Sequence, residues 1–191
     1  MKTYSLFILL FLLTTMAANA QEFRSAKEDY LKMARYLANG SGKWMAPNPR
    51  HDPDNPRSAR ALGLWFDLSN RENVLRLSIV AYRGDTVHIA SDALWIWHPG
   101  EQKIKYYDMN RGGIFQEGET FFSADDTFVT RSFNYLPNGE ITFSRGENVM
   151  TSEKEHFTRT LTWKDSQWQE QGQFTWRLTE EGEGYKAVKR N

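Results

Sequence analysis

The chain is expected to fold as an all-β protein, an antiparallel up-and-down barrel of about eight to ten strands with one N-terminal capping helix. Three observations point there. A single stretch of helical periodicity precedes Gly42-Lys43-Trp44. From about Ala61 onward, apolar and polar residues alternate with the period of two that a half-buried strand requires. Turn-forming residues then recur roughly every ten positions, as a hairpin ladder demands. No second helical pattern of useful length follows, which argues against α/β architectures.

Residues 1–20 read as an export leader. Lys2 is followed by an apolar run from Leu6 to Leu13, and Ala18-Asn19-Ala20 ends in the small-x-small form that a signal peptidase accepts. The run is shorter than the roughly 20 residues of a membrane-spanning helix, so no transmembrane segment is expected. Removal of the leader leaves 191 − 20 = 171 residues from Gln21, read as one domain over 21–191 and placed in the periplasm or outside the cell. With no cysteine, the chain has neither a lipid-modified cysteine nor a disulfide, and its stability must come from its core.

Charge excludes more than it assigns. The chain has 24 basic and 24 acidic residues; the leader holds one lysine and no acid, so 24 − 1 = 23 basic residues face 24 acidic ones in the remainder. That balance argues against a nucleic-acid partner. The 12 Phe, 8 Tyr and 7 Trp are more informative, since such rings suit pleated surfaces and ligand cavities alike.

Ser25-Ala26-Lys27-Glu28 has the form of a capping box. Tyr30, Met33, Ala34, Leu37 and Ala38 then recur at helical spacing until Gly40 stops the run. A helix this short is not stable alone and must lie on something. Gly42-Lys43-Trp44 opens the first strand, and a loop from Pro47 to Pro56 holds four of the six prolines. Further strands are expected near 61–68, 73–83, 86–97, 103–109, 113–122, 127–136, 141–149, 156–164, 168–178 and 184–189. The punctuation is Ser69 to Glu72, Gly84-Asp85, Pro99-Gly100, Asp125-Asp126, Asn138-Gly139 and Lys164-Asp165. Asn138-Gly139 is the firmest, read as a two-residue hairpin with positive φ at both positions.

These residues resemble a known family. Gly42-Lys43-Trp44 behind the Ser25–Ala38 helix is similar to the Gly-x-Trp of lipocalins. Leu94-Trp95-Ile96-Trp97-His98-Pro99, Lys103-Ile104-Lys105-Tyr106-Tyr107, Gly112-Gly113-Ile114-Phe115-Gln116-Glu117-Gly118 and Leu136-Pro137-Asn138-Gly139 resemble an uncharacterised secreted bacterial lipocalin-like group. The resemblance spans roughly residues 40–178. It implies a calycin-type barrel that binds a small, largely apolar molecule. It also implies an arginine near the last strand over the first-strand tryptophan, for which Arg177 and Arg190 both qualify by position.

Strand phase supplies the candidate site. Val129, Arg131, Phe133 and Tyr135 share one face; so do Ile141, Phe143, Arg145 and Glu147, and so do Phe157, Arg159, Leu161 and Trp163. Three strands thus place an arginine on their more apolar face. Arg76, in phase with Val74, Val80 and Tyr82, gives weaker support. One reading is an interior basic pocket for the acidic head of an amphipathic ligand, with Arg76, Tyr82, Arg131, Tyr135, Arg145, Arg159 and Trp163 as ligand-binding residues. The competing reading, weighted more heavily, leaves these arginines at strand ends or paired with acids such as Glu147. In strand 86–97, Trp95 and Trp97 share one face and His88, Asp92 and His98 the other.

No cofactor, metal or catalytic set is assigned. His88 and His98 are separated by about 33 Å of straight strand, too far to share an ion. His51-Asp52-Pro53-Asp54 reads as turn chemistry, and the proline loop as a lid over the cavity. Three functions stand in order: an exported protein holding a small apolar or amphipathic molecule, an anionic one included; an interaction or structural envelope protein with a filled barrel; and an enzyme acting on a lipophilic substrate. The last would need Glu147, Asp92, His88 and Tyr82 to converge. The oligomeric state is not legible.

Overall fold

The computed structural model describes residues 24–180. The leader, Arg190 and the strand expected at 184–189 lie outside them. One helix, α1 (Lys27–Leu37), precedes ten strands: β1 (Lys43–Pro47), β2 (Ala61–Ser69), β3 (Val74–Arg83), β4 (Thr86–His98), β5 (Lys103–Asn110), β6 (Phe115–Ala124), β7 (Thr127–Tyr135), β8 (Ile141–Ser152), β9 (Glu155–Lys164) and β10 (Gln167–Leu178). Each strand pairs antiparallel with its neighbours in sequence, and β1 pairs with β10, so the meander closes into a barrel. The fold class expected from the alternation is the one observed. Among the described residues, no helix is long and apolar enough to cross a membrane.

α1 begins one residue later than its sequence signals. Ala26 is the N-cap, and the Asp29 carboxylate accepts the Ala26 N–H at 3.1 Å. Ser25 is drawn away because its hydroxyl accepts the Ile104 N–H at 3.3 Å, fastening the approach to the helix onto β5. The buried face of α1 is Tyr30, Met33, Ala34 and Leu37, as the periodicity indicates. It plugs one end of the barrel against Trp44, Leu75, Ile104, Phe122, Phe128 and Trp176. Full burial of each large side chain contributes about 1.5–3 kcal/mol, which is how so short a helix persists.

Gly42 makes the junction between helix and barrel possible. Its φ of 63° is left-handed, and a Cβ there would run into the Phe66 carbonyl. The Gly42 carbonyl meanwhile accepts the Phe66 N–H at 2.7 Å. β1 then runs from the plugged end to Pro47, which has no N–H to donate to a ladder. The proline loop therefore leaves β1 at the opposite end of the barrel and returns to β2, where the Asn48 N–H donates to the Arg60 carbonyl at 3.1 Å.

Two turns differ from expectation. Asn138-Gly139 is not a two-residue hairpin: Leu136 N–H donates to the Glu140 carbonyl and Gly139 N–H to the Leu136 carbonyl, both at 2.9 Å, enclosing Pro137, Asn138 and Gly139. Of Asn138 and Gly139, only Gly139 has positive φ, 84°, because Pro137 favours an ordinary turn and leaves the reversal to the glycine. The two-residue turn with both positions left-handed is Asp165-Ser166, at φ 53° and 60°, between the paired Lys164 and Gln167.

Candidate binding site

The core under α1 defines the interior face of every strand. Followed along β7 it is Phe128, Thr130, Ser132 and Asn134, all buried. Register carries that face across β8 as Asn148, Gly146, Ser144 and Thr142, and across β9 as Thr158, Thr160 and Thr162. Away from the helix, the wall from β6 to β9 is thus hydroxyl, amide and glycine. Across the barrel, the inward residues of β2 and β3 are Leu62, Ile79 and Ala81. The interior is apolar on one side and polar on the other.

Neighbouring inward groups satisfy one another along the polar wall. Thr120 and Thr130 hydroxyls lie 2.7 Å apart, and the Trp95 indole N–H donates to Thr120 at 3.0 Å. Ser132 and Ser144 hydroxyls are 2.8 Å apart; Ser144 donates to Asn134 Oδ1 at 3.1 Å, and Asn134 Nδ2 donates to Thr142 at 2.9 Å. Apart from the Trp95 bond, which spans β5, these bonds join adjacent strands along the wall. Inward Thr160 is exposed, and Thr142, Gly146, Thr162 and Gly172 are half-buried, so the end opposite the helix is open. The helix end is filled; at the other end solvent reaches the inward residues of β8 to β10.

One carboxylate faces inward at this level. Asp108 on β5 accepts the Ser91 hydroxyl at 2.6 Å and the Tyr106 hydroxyl at 3.2 Å. Burial pushes its carboxyl above the usual range, and the two hydroxyl bonds oppose that shift only in part. Tyr106 is held well above the ordinary phenol value by its own burial and by Asp108.

The arginines are on the other side of the wall. Arg131, Arg145 and Arg159 alternate with the buried inward residues and project from the outer face, opposite to the interior placement read from phase. The physical reason is that the inward residues of β7 to β9 are mostly polar, satisfied by hydrogen bonds to one another, so the more apolar face is here the outer one. Arg145 and Arg159 both pair with Glu147, at 2.7 and 2.6 Å, while Arg131 lies over the Phe121 ring at 5.0 Å. Arg76 is an exposed outer residue of β3. Tyr82 is buried, but on the outer face: its ring packs over the missing side chain of Gly63 and its hydroxyl accepts the Trp65 indole N–H at 3.1 Å. Tyr135 donates to Glu117 at 2.7 Å, and Trp163 packs on Trp168 at 5.3 Å while remaining 45% exposed.

Part of that outer face is itself concave. A groove of about 670 Å³ over β5, β6 and β7 is lined by Lys103, Lys105, Glu117, Glu119, Phe121 and Arg131 among others. Of the seven residues selected from the sequence, Arg131 lines it. Arg131 and Arg145 are register partners and Arg159 shares Glu147 with Arg145, so those three are brought together; Arg76 and Tyr82 lie on β3, away from them.

The four residues considered for catalysis do not converge. Glu147 is held by the two arginines, Asp92 accepts the Ser78 hydroxyl at 2.6 Å, and Tyr82 is engaged with Trp65. His88 is moved to the inward face, opposite Ala81, by an extra residue in β4 where Ile79 and Val80 pair with Ser91 and Ile89. In the proline loop, Asp52 accepts the Asp54 N–H at 3.0 Å and His51 Nδ1 lies 3.3 Å from Ser58. Among the described residues no three histidines or acids converge as metal ligands. Arg177 points outward beside Glu155, so it does not cover Trp44, whose ring meets Tyr36 and His156 at 5.4 and 5.8 Å.

The inward polar residues Ser91, Asp108, Asn134 and Ser144 were missed by the sequence reading. The signal available was the parity opposite to the arginines, where Thr and Ser recur on three successive strands. No protein-family model matches this chain, and no curated protein matches it.

Proposed function

We propose that this is an exported binding protein whose barrel holds a small amphipathic molecule in the half not filled by α1. The observation that carries the reading is the two-sided interior: Leu62, Ile79 and Ala81 face Ser132, Asn134, Ser144 and Thr160 across an open end. A ligand with an apolar body and a hydrogen-bonding head matches that division. A lid role for the loop between β1 and β2 is supported by its place at the end opposite the helix, where Arg50 donates to the Gln171 carbonyl of β10 at 2.9 Å. The barrel and helix accord with the lipocalin-like resemblance, and residues 1–20 with export.

Titration of the purified protein with fatty acids, fatty alcohols, retinoid-like probes and haem, followed by tryptophan quenching and calorimetry, tests the reading. Saturable one-to-one binding of at least one is expected; none binding overturns it. Export is tested by sequencing the N-terminus of protein recovered outside the cytoplasm, which should begin at Gln21.

A second reading has a specific observation in its favour. Phe133 and Ile141 are 50% and 58% exposed, and with Phe143, Trp163 and Trp168 they form an outer aromatic patch of the kind that marks interaction surfaces. Light scattering across a concentration series distinguishes a self-associating surface from a monomeric carrier.

A further inference from the structure

We infer that Asp108 is the recognition point for a protonated amine, so that the interior takes a cationic amphiphile in preference to an anionic one. The inference rests on the reading of an occupied interior given above. Asp108 is 5% exposed and inward-facing, and its two oxygens are met by two neutral hydroxyls, Ser91 and Tyr106. A carboxylate offers about four acceptor positions, so these bonds leave it capacity for an ammonium group.

What surrounds Asp108 sharpens the chemistry. Its register partners on either side are Ala93 and Gln116, and Asn134 follows Gln116 on β7. Among the described residues, no lysine or arginine is recorded in a salt bridge with it. The charge acting on it from nearby is Asp92, of the same sign. The basic residues of this wall, Lys103, Lys105, Arg131, Arg145 and Arg159, alternate with the interior residues and belong to the outer face. A desolvated carboxylate without a cation is costly, and an ammonium supplied by a ligand forms a charge-assisted bond there. A carboxylate ligand would instead bring a second negative charge into the same low-dielectric space.

The test compares dodecylamine, dodecanol and dodecanoate, below their micellar concentrations, by calorimetry on the purified protein. Dodecylamine is expected to bind at least about tenfold more tightly than dodecanoate, with dodecanol between them. Asp108→Asn should lower amine affinity to near that of the alcohol, whereas Asp67→Asn, an exposed outer residue of β2 that does not act on Asp108, should leave it unchanged. Equal affinity for amine and acid, tighter binding of the acid, or amine affinity indifferent to Asp108→Asn overturns the inference. If Asp108→Asn does not fold, the order of the three head groups on the unaltered protein decides it. Failure of all three to bind overturns the inference together with the occupied interior, a result distinct from binding without preference.

Discussion

Trp44 donates its indole N–H to the Leu37 carbonyl at 2.8 Å. That carbonyl belongs to the last turn of α1, where the intrahelical partner has run out, so the first strand finishes the helix that plugs the barrel. Gly42 turns the chain between them. Trp44 is fully buried, and so is Leu37 to within 1%.

Trp44→Phe is therefore expected to cost about 2–3 kcal/mol, from lost ring volume and from a buried carbonyl left without a donor. Leu37→Ala should cost a similar 2–4 kcal/mol through the cavity it opens. Urea unfolding followed by circular dichroism measures both. Because the two residues touch, the double mutant should lose less than the sum of the singles.

Gly118 sits where β6 passes close to β7, and a Cβ there would be driven into the Arg131 backbone carbonyl. Backbone cannot yield as the tip of a side chain does. Gly118→Ala should destabilise by more than about 2 kcal/mol, while Gly139→Ala, with open space around its Cβ but a positive φ, should cost about 1 kcal/mol. Thermal unfolding of the pair separates the two causes.

The ladder itself was legible, because alternation and turn residues are local signals. Nine strands from β2 to β10 begin and end within a few residues of the positions read from the sequence. The inside of the ladder was not. Assigning the more apolar face to the interior presumes an apolar core, and that presumption holds from Trp44 to Phe128 under the helix but fails where Thr130, Ser132, Ser144 and Thr160 face inward. There the larger apolar groups, Phe133, Phe143 and Trp163, lie outside. The β4 bulge was equally hidden, since one extra residue reverses His88 without altering the composition around it.

Glu147 holds Arg145 and Arg159 together on the outer wall, against the repulsion of two like charges. The three side chains are 18–39% exposed, so solvent screens the cluster. Glu147→Gln should cost about 1 kcal/mol at low ionic strength and less in 0.5 M salt, where screening also weakens the repulsion left behind. Denaturant midpoints at the two salt concentrations check it. A filled outer face without ligand contacts would leave head-group preference inside the barrel unaffected by the same variant.

His156 makes acid stability predictable. It is 1% exposed, stacked at 6.0 Å on Phe128 beside Trp44 and Tyr36, and 3.3 Å from Asn148. Burial depresses its imidazole to about 4 from an ordinary value of 6.5, a backbone hydrogen bond to Val149 opposing the shift weakly. Between these values the unfolded chain takes up a proton that the folded chain refuses, so stability rises with pH through this window. The contribution is complete above about pH 6.5, falls as pH drops, and is lost below about pH 4, on the order of 3 kcal/mol in all. His156→Gln should flatten the slope between pH 6.5 and 4 while lowering stability at pH 7 through poorer packing. Urea titrations at half-unit steps, protein against variant, measure the difference; parallel slopes would show that another group carries the acid transition.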